Sequence, residues 1–99
     1  MIRVEVKKEN KKIKEIILSG HALYDDYGKD IVCASVSSIV ITTINAILSI
    51  DDKSINYEEK NGLTIKVIKD DIVTNKLINN MINMLLELEK DYPKNIKFL

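Results

Sequence analysis

The stretch Ile31-Val32-Cys33-Ala34-Ser35-Val36-Ser37-Ser38-Ile39-Val40-Ile41-Thr42-Thr43-Ile44-Asn45-Ala46-Ile47-Leu48-Ser49-Ile50 decides the fold, because its composition and its spacing disagree. Its β-branched residues favour a strand. Its apolar positions 32, 36, 39, 40, 44, 47 and 48 fall at helical intervals. A strand would have to run over the seventeen residues from 32 to 48, whereas strands are mostly about five or six long. The spacing therefore predicts a helix that begins between Asp30 and Cys33 and ends near Asp51. Twenty uncharged residues are also enough to cross a bilayer. Ser35, Ser37, Ser38, Thr42, Thr43, Asn45 and Ser49 would make a poor lipid-facing surface, however, and they recur at helical spacing. We read a central helix packed inside a soluble domain, with no membrane partner.

Towards the N-terminus, Ile2, Val4 and Val6 alternate with Arg3, Glu5 and Lys7, the period of a half-buried strand. The polar turn Lys8-Glu9-Asn10-Lys11 leads into a second strand-like run, Ile13 to Leu18, which implies an antiparallel hairpin. Ser19-Gly20-His21-Ala22 follows, then a loop from Leu23 to Lys29 with neither period. Towards the C-terminus, Ser54–Glu59 and Leu63–Lys69 flank Lys60-Asn61-Gly62, a hairpin signal because Asn and Gly both tolerate positive φ. Asp70 or Asp71 caps a second helix whose apolar face is Ile78, Met81, Ile82, Leu85, Leu86 and Leu88. Tyr92-Pro93 stops it, and Ile96, Phe98 and Leu99 supply a last strand. The order ββαββαβ predicts an α+β fold, a small mixed or antiparallel sheet covered by two helices, in one domain over residues 1–99.

Lysine plus arginine equals aspartate plus glutamate at 15 each, so the net charge is zero and no direct nucleic-acid requirement is implied. Lys7, Lys8, Lys11, Lys12 and Lys14 make a basic cluster that we read as a solvated hairpin tip. With one cysteine there is no intramolecular disulfide, and no secretory signal precedes the first strand. The expected compartment is the cytoplasm, where a thiol stays reduced.

The chain has one histidine and one cysteine, twelve residues apart. His21 follows a glycine at a strand end, and Cys33 sits at a helix start. A helix start offers unpaired N–H groups and the positive end of the dipole. Both lower a thiol's pKa from its usual value of about 8.5. A nearby imidazole would lower it further and then act as general acid to a leaving amine. The same N–H groups suit a tetrahedral oxyanion. Gly20, Ala22, Ala34 and Ser35 leave room for a peptide backbone. Ser37 is one turn beyond Cys33 on the same helix face, and Asp30 is placed to cap the helix or hold the imidazole tautomer. Each residue also has a plainer role: an inert buried thiol, a loop histidine, a helix cap, a helix hydroxyl. Two metal-type ligands fall short of the four that a structural zinc site wants, so neither a metal nor a cofactor is expected.

The elements Gly20-His21-Ala22 and Gly28-Lys29-Asp30-Ile31-Val32-Cys33-Ala34-Ser35-Val36-Ser37, in that order, resemble the signature of the ribosomal-processing cysteine protease family, Prp. Asn56-Tyr57 and Tyr92-Pro93-Lys94-Asn95-Ile96 extend the resemblance over the whole chain. It implies a small α+β peptidase, a homodimer, that removes the N-terminal extension of a bacterial large-subunit ribosomal protein, number twenty-seven of that subunit. The nucleophile and histidine of the family fall on Cys33 and His21, and its supporting aspartate and serine on Asp30 and Ser37. The implied substrate is a hydrophobic peptide cut just after phenylalanine. Tyr24 and Tyr27, in a segment between base and nucleophile that we read as a lid, would cover its aromatic side chain. Ser35 departs from the alanine or glycine common there, and would narrow the site. The alternative is a ribosome-associated binding module without turnover, in which Cys33 is packing. A redox-sensing thiol would lack a resolving cysteine.

Overall fold

Alternating residues commit the first two strands to one buried face. In the computed structural model, which describes residues 1–20 and 31–99, they are β1 (Ile2–Glu9) and β2 (Lys12–Ser19). Ile2, Val4, Ile16 and Leu18 are buried, and Arg3 and Lys7 face solvent. The hairpin closes through Asn10 and Lys11, both at positive φ (53° and 68°), the backbone that matches strand twist. The pairing shifts from Lys7↔Glu15 to Lys8↔Ile13, leaving Lys14 as the extra residue of a bulge.

The long apolar stretch is helical, as its spacing predicts: α1 (Ile31–Ile50) buries Val32, Cys33, Val36, Val40, Ile44 and Ile47. Ile39 and Leu48 are half-buried beside that stripe. The helix packs on the sheet through this stripe and keeps an outer side. Ile31, Ile41 and Ile50 are 58%, 56% and 62% exposed. Two helices lying side by side on one sheet face each keep an outer side, and α1 contributes only its inner stripe to the core.

β3 (Ile55–Glu59) and β4 (Leu63–Val67) are joined by three residues, with Asn61 and Gly62 at φ 56° and 117°. Of the two candidate caps for α2 (Ile72–Asp91), Asp71 is the one used, its carboxylate accepting from the Thr74 N–H at 2.7 Å. Asp70 instead accepts from Lys12 and from the Asn75 amide. α2 buries Thr74, Ile78, Met81, Ile82 and Leu85. Leu86, expected on that face, is 41% exposed, because one residue turns it about 100° away from Leu85. The helix ends where the Tyr92 N–H donates to the Leu88 carbonyl, and β5 (Ile96–Phe98) follows.

The strand order is β3-β4-β2-β1-β5, antiparallel throughout except that β5 runs parallel to β1. The sheet is therefore mixed, with β2 at its centre. One face packs on α1 and α2, and Glu89 ties α2 to β5 by accepting from the Phe98 N–H at 2.7 Å.

Two exposed ion pairs brace the ends of the helices, Lys69–Asp51 and Lys12–Asp70, each at 2.6 Å. Hydrogen bonds from Lys69 and the Lys53 backbone hold the Asp51 carboxyl below its ordinary 3.8, and bonds from Lys12 and Asn75 do the same for Asp70. A carboxyl depressed on folding stabilises above its unfolded value and loses that stabilisation as pH falls through the folded one. Lys69, raised from 10.5 by Asp51, stabilises below that value and loses the effect in strong alkali. Urea unfolding should thus show stability falling below pH 3.8, with a shallower acid limb in Asp51→Asn/Asp70→Asn. Identical acid limbs would rule the pairs out as a cause.

Candidate active site

Cys33 is the third residue of α1, in its first turn, and is buried at 7% exposure. It lies on the inner stripe with Val32 and Val36, so packing against the core fixes its position. Ala34, next along, is exposed. Ser35, the departure from the family pattern, donates its hydroxyl to the Ile31 carbonyl at 2.8 Å, so its polar atom is engaged with the helix backbone. Ser37 is exposed, one turn after Cys33.

Gly20 follows the last residue of β2 at φ 73°, and a Cβ there would lie 2.5 Å from the Met1 carbonyl oxygen. The bareness of Gly20 is thus used by the chain's own backbone, a role that the sequence did not suggest. His21, Ala22, Tyr24, Tyr27 and Asp30, with the segment 24–29 that the sequence suggests as a lid, lie outside the described residues. The described ends that carry them are close. Leu18, two residues before Gly20, and Val36 and Ser37 of α1 line one cleft of about 160 Å³. The strand end that leads to His21 is therefore beside the first turns of the helix that carries Cys33.

The other walls of this cleft are Val40 and Ile41 on α1 and Leu63 on β4, with Glu59 at its side. None of these was singled out from sequence. Ile41 was legible in part, since 33, 37 and 41 are spaced by four and share a helix face. Leu18 and Leu63 were not, because only the pairing Leu18↔Leu63 brings them together. Among the described residues, no three metal-type side chains cluster.

The family model for the cysteine protease Prp matches residues 1–97. The chain belongs to the Prp family. It is a cysteine peptidase. The ribosomal processing cysteine protease Prp of Staphylococcus aureus is 31% identical over 102 residues, covering 98% of this chain and 96% of that one. The Prp of Bacillus subtilis is 26% identical over 106 residues, covering 98% and 95%. Crystal structures of S. aureus Prp share the fold at 25% identity. The one with a covalently linked product peptide has a TM-score of 0.90 and covers 99% of this chain and 97% of that one. The one with a substrate peptide has a TM-score of 0.89 and covers 100% and 98%. The ββαββαβ order and the two-helix cover are thus those of Prp. Membership sets aside the binding module without turnover.

Proposed function

We propose that the chain is an endopeptidase that removes the N-terminal extension of large-subunit ribosomal protein number twenty-seven, cutting after an aromatic residue. The observation that carries this reading is the position of the chain's one cysteine, in the first turn of α1, in a member of the Prp family. Its Staphylococcus and Bacillus relatives are named as ribosomal processing proteases, which supports the substrate class.

In this reading the Cys33 thiolate attacks the scissile carbonyl carbon, forming a C–S bond and a tetrahedral oxyanion. N–H groups at the start of α1 stabilise that charge. His21 gives its proton to the leaving amine as the C–N bond breaks. It then takes a proton from water, whose oxygen attacks the thioester; the C–S bond breaks and the thiolate returns. Asp30 and Ser37 support the pair. Gly20, Ala22, Tyr24, Tyr27 and Ala34 border the peptide, and no cofactor takes part. The working form is a cytoplasmic homodimer, which sedimentation of the purified chain would check.

The test is incubation with a synthetic peptide of the host protein's N-terminal extension, with products read by mass spectrometry. One cut, leaving a fragment that ends in the aromatic residue, is expected. A peptide left whole, or cut elsewhere, would refute the assignment.

A further inference from the structure

Charge is segregated along a chain whose total is zero. Residues 7–15 hold five lysines and two glutamates, so the tip of the β1–β2 hairpin carries +3 and the rest of the chain −3. Lys7, Lys8, Lys11 and Lys12 are exposed, and Lys14 is half-buried. Carboxylates of the fold engage some of them. Lys7 is 4.0 Å from Glu15, and Lys12 is 2.6 Å from Asp70, which also feels the charge of Lys14. Lys8 and Lys11 form no ion pair among the described residues.

A cleft of about 190 Å³ lies beside the tip, lined by Lys11, Lys12 and Ile13 of the hairpin and Asn75, Ile78 and Asn79 of α2. The Asn75 amide is committed to Asp70. An ammonium has three donors, so Lys12 keeps two beyond the one that meets Asp70. Lys11 and the Asn79 amide add theirs. These are groups that bind phosphate, and the composition narrows the partner further. Residues 7–15, Asn75 and Asn79 include no arginine and no aromatic ring, so nothing there stacks on an unpaired base. Ile13, the one apolar residue of the tip, packs against the core and is not available to enter a bilayer. The matching partner is a polyanion with its charges on the outside, the backbone of a helical nucleic acid.

We infer that the β1–β2 hairpin tip, with the adjoining face of α2, docks on the phosphate backbone of base-paired RNA without reading its sequence. The choice of RNA over DNA rests on the proposed ribosomal-protein substrate; the phosphate contact does not. This surface is remote from the cleft beside Cys33. Lys12 is six residues before Leu18 on β2, about 20 Å along the strand. RNA contact is thus compatible with peptide cleavage and not required for it.

The probe is a short RNA duplex of arbitrary sequence, its binding to the full chain followed by fluorescence anisotropy over a range of salt. Each lysine that meets a phosphate steepens the fall of log K with log salt by about one. Lys8→Gln/Lys11→Gln should therefore lower that slope by about two and weaken binding at least about tenfold at about 0.1 M salt. Neither lysine is paired within the fold, so the melting temperature and the rate of peptide cleavage should match wild type. Single-stranded RNA, polyglutamate and anionic phospholipid vesicles should bind more weakly than the duplex, and a DNA duplex no more tightly. The inference is overturned by no duplex binding at about 50 mM salt or by an unchanged slope in the variant. Equal or tighter binding to the single strand, polyglutamate or vesicles, or tighter binding to DNA, would overturn it too. If the slope changes as expected but wild type leaves the extension peptide uncut, the RNA surface stands and the substrate assignment falls.

Discussion

Cys33→Ala should lower kcat/KM on the extension peptide by at least about 10⁴-fold, because the residue removed is the one to which the acyl group is transferred. Burial predicts that the fold will survive: Cys33 is a small residue on the inner stripe of α1, and alanine fits the same space. Unchanged far-ultraviolet circular dichroism would show it. His21→Ala should cost about 10²- to 10⁴-fold, the range of a lost general acid and base. The double variant should be no slower than Cys33→Ala alone, since residues that act as one unit do not add. Retention of cleavage by Cys33→Ala would sink the mechanism. An additive double variant would mean that His21 acts somewhere other than on the thiol and the leaving group.

Gly62→Ala should destabilise the protein by about 3 kcal/mol, combining backbone strain with a steric clash. Gly62 has φ 117°, where side-chain-bearing residues are strained, and an added Cβ would fall on the Leu18 carbonyl oxygen. That carbonyl belongs to β2, the central strand, and cannot move aside without disturbing two ladders. For a domain of this size the melting temperature should drop by more than about 10 °C. Asn61→Gly, at φ 56°, should change little by comparison, since glycine adopts that backbone freely. Equal melting temperatures for Gly62→Ala and wild type would show that the turn re-forms without the clash.

The local grammar of this chain was readable where a single segment carries its own signal. α1 was found from the interval of its apolar residues against the propensity of its isoleucines and valines, and the Asn61-Gly62 turn from two residues alone. Leu86 misled because apolar character marks a residue for burial while its angle on the helix decides whether burial happens. Ser54 and Thr74, fully or nearly buried, carry no apolar signal; Ser54 is accommodated by donating to the Asp51 carbonyl. The strand order and the parallel β1–β5 pair depend on contacts between distant segments, which no window of sequence contains. The same holds for the candidate site. Cys33 was marked by its residue type and its motif, whereas Ile41, Leu18 and Leu63 became visible as one cleft only after α1 was laid across the ends of β2 and β4.

The central place of β2 also says how firmly the described parts of the site are anchored. Glu15 to Leu18 are paired on both sides, to β1 and to β4, and are therefore among the amides that exchange with solvent only when the whole domain opens. His21 is tethered three residues beyond that segment. Cys33 is seated on the inner stripe of α1 between Val32 and Val36, in the same core cluster as Ile16 and Leu18 of β2. The described supports on both sides of the site thus belong to the part of the protein that opens last.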